Sequence, residues 1–313
     1  MTEPLREKPR LLITGGTGLL AVNWACAVRA EWDVLLGTHR HQVALAGVNS
    51  SSVPLDSPAA FGAALDRMRP SLIVHTAGLT DVDRCQAEPA LAVACNGELA
   101  RTVAVAAAAR GIALIHISTD HLFTGTRSLV TEDEPPAPMN EYGHSKWRAE
   151  QWVMNAHPQA LVLRTNFFGW GHAMRQSFSD WILATLSADQ PLSAFDDVYF
   201  TPTIADRVAR WGHALLGLRA SGVFHVCGDE RVSKYDFACR LATQAGLPLS
   251  QIRRASIENA GLRAPRPRDM SLSTTRARQV LGLESRPLED DLRELFAQEA
   301  TGRRAELLKA VSR

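Results

Sequence analysis

The sequence predicts an α/β protein built on a doubly wound parallel sheet, with a smaller, discontinuous domain assembled from C-terminal pieces. Three observations carry that prediction. Short, nearly continuous apolar runs alternate with segments whose apolar residues recur at helical spacing, the pattern of strands buried on both faces and covered by helices. A glycine turn joins the first such run to the first helix. Beyond Phe123 the texture changes to the acidic, proline-rich stretch TGTRSLVTEDEPPAPMNE, and regular patterns return only in pieces after it.

The elements follow in order. Arg10 to Thr14 (RLLIT) reads as a strand that stops at Gly15, and LLAVNWACAVRA follows as a helix. DVLLGT is then a strand, PAAFGAALDRM a helix, SLIVHTAG a strand, ALAVACNGELARTVAVAAAARG a long alanine-rich helix and IALIHIST a strand. The acidic loop leads to a helix beginning in NEYGHSKWRAE, Asn140 to Glu150, and ALVLRTNFFG reads as the next strand. After an irregular region, GHAMRQSFSDWILATLSADQPLSAFDDVYFTPT, the helix IADRVARWGHALLGL and the strand GVFHVCG return to the first layer. The tail from SKYDFACRLATQAGL onward ends in a charged helical stretch, and no internal repeat or low-complexity segment interrupts the chain. A chain of 313 residues has room for about two domains. We expect the sheet domain to hold residues 8–165 plus about 203–227, and the substrate domain about 166–202 plus 228–313.

Composition sets bounds on function. Hydrophobic residues at 46% and charged residues at 21% are ordinary globular values. A formal net charge of +1 offers no field to hold nucleic acid or an anionic membrane, so neither is expected as a partner. The basic residues are 30 Arg and only four Lys. The N-terminus, MTEPLREKPR, lacks the apolar core of a signal peptide, and no later run approaches the ~18 uninterrupted apolar residues of a membrane span. The expected location is therefore cytoplasmic. Cys26, Cys85, Cys95, Cys227 and Cys239 are odd in number, spread apart and form no CxxC pair, which suggests buried reduced thiols rather than disulfides or zinc ligands. His39 and His41 flank Arg40 without a further ligand nearby, and no catalytic metal is expected.

TGGTGLLA places Gly15, Gly18 and Ala21 at three-residue spacing between a strand and a helix. Such a turn lets backbone approach a pyrophosphate, while the helix N-terminus supplies free N–H groups and partial positive charge; the third position needs only a small side chain. This is the signature of a Rossmann-type dinucleotide-binding fold. An acid about 20 residues further on would select NAD by bonding the ribose hydroxyls. Here the second strand ends instead in Gly37, Thr38, His39, Arg40 and His41, with no acid before Asp56. A guanidinium beside a hydroxyl suits the 2′-phosphate, so NADP(H) is favoured and NAD(H) is the alternative.

Tyr142 and Lys146 stand four residues apart on a helix, so both side chains reach a common point. A phenol with an ordinary pKa near ~10 can act as a general acid for ketone reduction when a nearby ammonium favours the phenolate. A third group is expected from Ser118, Thr119 and Asp120, because ligands of open parallel sheets bind beyond the carboxyl ends of the strands. A hydroxyl there could hold the substrate carbonyl, with Ser118 and Thr119 both eligible.

Taken together, TGGTGLLA, HTAGLTDVDRCQAEP, ISTDHLFTG, YGHSK and RPRDMSLSTTRARQVLG resemble, in order and spacing, the extended short-chain dehydrogenase/reductases. The match is to the dTDP-4-dehydrorhamnose reductase group and runs from Leu11 to about Leu292. The resemblance implies the triad Thr119, Tyr142 and Lys146, and hydride transfer from NADPH to the C4 ketone of a nucleotide-linked 4-keto-6-deoxy sugar in deoxysugar or surface polysaccharide biosynthesis. It implies a cofactor track along Gly15, Thr17, Gly18, Leu19, Leu20, Thr38, His39, Arg40, Leu55, Asp56, Ala77, Gly78, Ser118, Tyr142, Lys146 and Thr165. The sugar site would be lined by Thr80, Val82, Thr119, Asp120, His121, Asn166 and Phe167. A homodimer is expected only by the same analogy.

The chain departs from the group around the sugar. His121 stands where a tyrosine is usual, Phe167 where a tryptophan stacks on the sugar, and DDVYFTPT replaces a DQ.GSPT segment. Related sugar 4,6-dehydratases use the Asp and Glu of STDE as acid and base; Asp120 is present here, but the glutamate is replaced by His121. The alternatives to a reductase are a nucleotide-sugar epimerase that recycles its cofactor and a non-catalytic subunit resembling that of methionine adenosyltransferase.

Overall fold

The computed structural model describes residues 7–311. The first six residues of the N-terminal stretch considered above lie outside that range.

Seven parallel strands form one sheet: β1 (Arg10–Thr14), β2 (Asp33–Thr38), β3 (Val48–Ser52), β4 (Leu72–His75), β5 (Ala113–Thr119), β6 (Leu161–Thr165) and, later in the chain, β11 (Gly222–His225). Their order is β11-β6-β5-β4-β1-β2-β3. The order reverses at β1, whose neighbours are β2 and β4, and this switch point is where open parallel sheets bind ligands. The central strands are apolar on both faces. Leu11, Ile13, Val74, Ile117 and Leu163 pack with helices α1 (Leu19–Val28) and α8 (Ala205–Gly217). Leu12, Ile73, Leu114 and Val162 pack with α2 (Pro58–Met68), α5 (Leu99–Ala108) and α6 (Glu141–Ala156). The doubly wound α/β expectation is thus met.

Three details differ from the sequence reading. β3 has no counterpart among the apolar runs, because VNSSS is a polar edge strand. ALVLRTNFFG is not one strand: β6 ends at Thr165, and β7 (Phe167–Phe168) turns away to pair with β10 (Thr203–Ile204). The long alanine-rich helix is α4 (Pro89–Ala92), a π-helical turn Val93–Glu98 and α5, end to end. Its 20 residues have the length and mean hydropathy of a membrane span, 1.3, but Asn96, Glu98 and Arg101 interrupt it and its Val103 and Ala104 face lies in the core.

Beyond β6 the chain builds a second region from α7 (Phe178–Ser187), β8 (Leu192–Phe195), β9 (Tyr199–Phe200), β12 (Val232–Ser233), α9 (Lys234–Gln244) and β13 (Ile252–Ala255), with β8 paired to β13 and β9 to β12. Ile182, Phe200, Phe237 and Leu241 belong to the same apolar cluster as the α1 face of the sheet, so one core runs through both regions. The five cysteines are unpaired; Cys26, Cys85 and Cys227 are buried, whereas Cys95 and Cys239 are only half-buried.

Candidate active site

The glycine turn is tight because backbone presses on it. Gly15 has φ +69°, and a Cβ there would stand 2.7 Å from the Ala77 backbone, so the loop after β4 lies directly over the turn. Gly16 N donates to the Gly37 carbonyl at 2.9 Å, and Gly18 N to the Gly15 carbonyl at 2.7 Å. Gly18 then caps α1 without a side-chain hydrogen bond, and no acid sits in the first turn. Those free amides, a close backbone approach and the helix dipole fit a dinucleotide pyrophosphate. At the end of β2 the Thr38 hydroxyl is buried with no hydrogen-bond partner, and Arg40 is exposed beside it. This pair fits a 2′-phosphate. His39 and Asp56 are exposed and Leu55 half-buried on the same side.

Asn140 starts α6: its Oδ1 accepts from Gly143 N at 2.9 Å, while its Nδ2 donates to the Pro265 carbonyl at 2.9 Å. Gly143 must be glycine, since a Cβ would collide with the His121 carbonyl. That close approach brings the helix against the end of β5. Tyr142 and Lys146 therefore face Ser118, Thr119 and Asp120, as the i, i+4 spacing required.

Lys146 is buried, and its Nζ donates to the Ile117 carbonyl at 2.6 Å. Burial pushes its pKa down to about 8, with Glu150 pulling upward. Tyr142 is pushed up to about 12 by burial, the Thr119 hydroxyl pulling the other way. The expectation of a phenol lowered by Lys146 is not met: burial outweighs any pull toward the phenolate, and the ammonium donates to the strand carbonyl. The Thr119 hydroxyl donates to Asp120 Oδ1 at 3.2 Å and accepts from His121 N at 3.2 Å. Asp120 Oδ2 accepts from Asn166 Nδ2 at 2.5 Å. The His121 ring meets Tyr142 edge-on, centroids 5.5 Å apart. Ser118 Oγ and Thr165 Oγ1 are buried without partners. Thr119, Asp120, His121, Tyr142, Lys146 and Asn166 thus form one contiguous group.

Four residues not singled out from the sequence belong to it. Asn96, on the π-helical turn, accepts from Leu79 N at 2.7 Å and donates to the Leu79 carbonyl at 3.0 Å and to Ser145 Oγ at 2.9 Å. It ties the Ala77–Gly78 loop to α6. His172 Nε2 donates to the Thr17 carbonyl at 2.8 Å and its Nδ1 accepts from Met174 N at 3.3 Å, which fixes the tautomer. Arg175 donates to Thr80 Oγ1 at 2.5 Å and acts electrostatically on Tyr142. Lys234 opens α9 and acts on His121. Only long-range folding joins these residues, and no local pattern marks them. Val82 and Phe167 are half-buried at the same cleft.

The chain matches the RmlD substrate binding domain family over residues 9–301. It is 31% identical over 292 residues to a probable low-salt glycan biosynthesis reductase of Haloferax volcanii, covering 91% of this chain and 96% of the relative. It is 30% identical to methionine adenosyltransferase 2 subunit beta of Danio rerio, covering 91% and 89%. The crystal structure of dTDP-4-dehydrorhamnose reductase from Bacillus anthracis in complex with NADP superposes with a TM-score of 0.83 at 25% identity, over 93% of this chain and all of that one (100%). With the matched region spanning sheet, glycine turn and cleft alike, the chain belongs to the RmlD substrate binding domain family, within the extended short-chain dehydrogenase/reductases.

Proposed function

We propose that the protein is an NAD(P)H-dependent reductase, with NADPH preferred, acting on the C4 ketone of a nucleotide-linked 4-keto-6-deoxy sugar in deoxysugar or surface-polysaccharide biosynthesis. The observation that carries this reading is the Thr119, Tyr142 and Lys146 group standing at the carboxyl end of β5, beside the glycine turn at the sheet's switch point. The regions 8–165 with about 203–227, and about 166–202 with 228–313, supply the cofactor and sugar sides.

When bound, the nicotinamide supplies the hydride. Gly15, Thr17, Gly18, Leu19 and Leu20 would hold the pyrophosphate end of the cofactor, and Thr38 and Arg40 its 2′-phosphate. Ala77 and Gly78 flank it from the loop that Asn96 clamps. The Thr119 hydroxyl, now donating to Asp120, rotates to donate to the substrate carbonyl oxygen. Tyr142 holds the proton that the developing alkoxide takes; with its pKa near about 12 the phenol is fully protonated at neutral pH. Lys146, anchored on the Ile117 carbonyl, presents a positive charge that stabilises the phenolate left behind. Thr80, Val82, His121, Asn166 and Phe167 shape the sugar side.

The direct test offers the purified protein dTDP-4-dehydrorhamnose with NADPH. One NADPH oxidised per sugar reduced is expected. Product formed without net loss of NADPH would point to an epimerase, and no turnover on 4-keto sugars linked to dTDP, UDP or GDP would overturn the reading. The relatives named methionine adenosyltransferase 2 subunit beta favour a second reading, a regulatory subunit. Cofactor binding without turnover would support it.

A further inference from the structure

The loop that follows β2 is anchored by a distant part of the chain. Its first residues, His39, Arg40 and His41, make no hydrogen bond among the described residues. Its return is held firmly. Val43 forms an antiparallel bridge with Val311, and Ala44 N donates to the Ala310 carbonyl at 2.7 Å. Val43 and Leu45 share one buried cluster with Leu307, Ala310 and Val311, which belong to the helix Arg303–Ala310 and the residue after it. Ala46 is gripped on both sides: its N–H donates to Glu306 Oε1 at 3.1 Å, and its carbonyl accepts from Arg29 Nη1 at 2.9 Å. Arg29, the residue that ends α1, closes the clamp by donating to both Glu306 oxygens, at 2.5 and 2.8 Å. One carboxylate thus joins the end of α1, the loop after β2 and a helix 260 residues beyond that loop.

The clamp bears on the cofactor because of what the loop carries. Arg40 stands three positions before Val43. It is exposed, without an ion pair among the described residues, and follows closely on the buried, unpartnered Thr38 hydroxyl at the end of β2. A long side chain on a loop fixed at both ends has fewer places to be, so less freedom is lost when a phosphate orders it. With the second anchor loosened, Arg40 would still reach the phosphate, but at a larger entropic cost. The glycine turn lies at the opposite end of α1 from Arg29 and has backbone ties of its own. Resting on the NADPH reading above, we infer that Glu306 is a positioning residue for the cofactor: it sets the loop that carries Arg40, and through it the preference for a 2′-phosphate. The coupling runs both ways, so a phosphate that orders Arg40 also tightens the clamp.

The experiment measures NADPH and NADH affinity of the full chain by calorimetric titration, for the wild type, Glu306→Ala, Glu306→Gln, Arg40→Ala and the double variant Arg40→Ala/Glu306→Ala. The Arg29 and Glu306 side chains are 26% and 25% exposed, so water can replace a lost partner and the variants should fold, which the thermal midpoint checks. Glu306→Ala should lower the NADPH-over-NADH affinity ratio by about two- to tenfold, the range for ordering one long side chain. Glu306→Gln keeps an oxygen for the Ala46 N–H and should retain part of the ratio. In the Arg40→Ala background, Glu306→Ala should change the ratio no further, because its effect runs through Arg40. Hydrogen exchange at the Ala44 and Ala46 amides should slow more with NADPH than with NADH. In a wild type that prefers NADPH, three results would each overturn the inference and leave the reductase reading standing: an unchanged ratio in Glu306→Ala, an equal change with and without Arg40, or equal slowing by both cofactors. A wild type with no preference for NADPH would overturn the inference together with the 2′-phosphate site. Binding of neither cofactor would overturn the reductase reading as well.

Discussion

On the cofactor side of the cleft the groups that shape the glycine turn and the helix behind it are tied to backbone: Gly16 to Gly37, Lys146 to Ile117, Asn96 to Leu79 and His172 to Thr17. On the sugar side the polar groups have few such ties: Lys234 rests on aromatic rings, the Arg175 side chain holds only the Thr80 hydroxyl, and His121 Nδ1 has no partner. The difference teaches which part of the function each side determines. Ties to backbone hold Lys146, Asn96 and His172 in one place before any ligand arrives. Side chains without such ties keep free polar atoms that a ligand can meet.

The comparison can be broken most forcefully at the proton donor. Tyr142→Phe should lower kcat by about 10²- to 10⁴-fold, the usual contribution of general acid catalysis, while NADPH affinity is unchanged. Steady-state kinetics with cofactor titration checks this, and unchanged turnover would remove Tyr142 from the chemistry. One turn below Lys146, Glu150 forms a buried two-pronged pair with Arg164, at 2.9 and 2.8 Å. Glu150→Ala strands that guanidinium and should cost about 3 to 5 kcal/mol in denaturant unfolding. A loss below about 1 kcal/mol would show that the pair is relieved by water.

Titration sharpens the same contrast. A lysine is protonated below its pKa, so Lys146, held near about 8, carries its charge at neutral pH and loses it above that value. Tyr142, near about 12, keeps its proton throughout. The rate of ketone reduction should therefore fall above pH ~8, by about tenfold per unit, and the limb should move to lower pH in Glu150→Gln, because Glu150 supports the ammonium. A limb that stays level to pH ~10 would show that the charge on Lys146 is not needed for the reaction. Since Lys234 titrates in the same range, Lys234→Met should leave the limb of kcat in place. The smallest effect is expected at Arg40, where replacement by Ala should reduce the preference for NADPH over NADH by about tenfold, read as the ratio of the two kcat/KM values.

How much of this was legible beforehand follows from the range of each signal. The apolar runs of β1, β4, β5 and β6 are local and stand out because both faces of those strands are buried. The polar β3 does not stand out, since it gains its place from pairing with β2 alone. The glycine turn and the Tyr142–Lys146 spacing could be read because the chemistry demands particular residues at short separations. Asn96, His172, Arg175 and Lys234 are brought in by folding, His172 from 155 residues away, and a lone Asn or Arg carries no such mark. The misjudged phenol has a related cause: spacing puts Lys146 on the right face of α6, but only the folded strand shows the Ile117 carbonyl claiming its ammonium.

Because Val93–Glu98 winds as a π-helical turn, Asn96 reaches Leu79 only while the helix keeps one residue more than a regular α-helix would use. Deleting one of the turn's other residues would restore the ordinary winding and swing Asn96 by about 100° relative to the helix on the other side of the deletion. The loop over the glycine turn would come loose although every residue named in the site remained. At this place the chain must keep a length as well as the identity of Asn96: the number of residues in the turn is a requirement that a substitution scan would pass over.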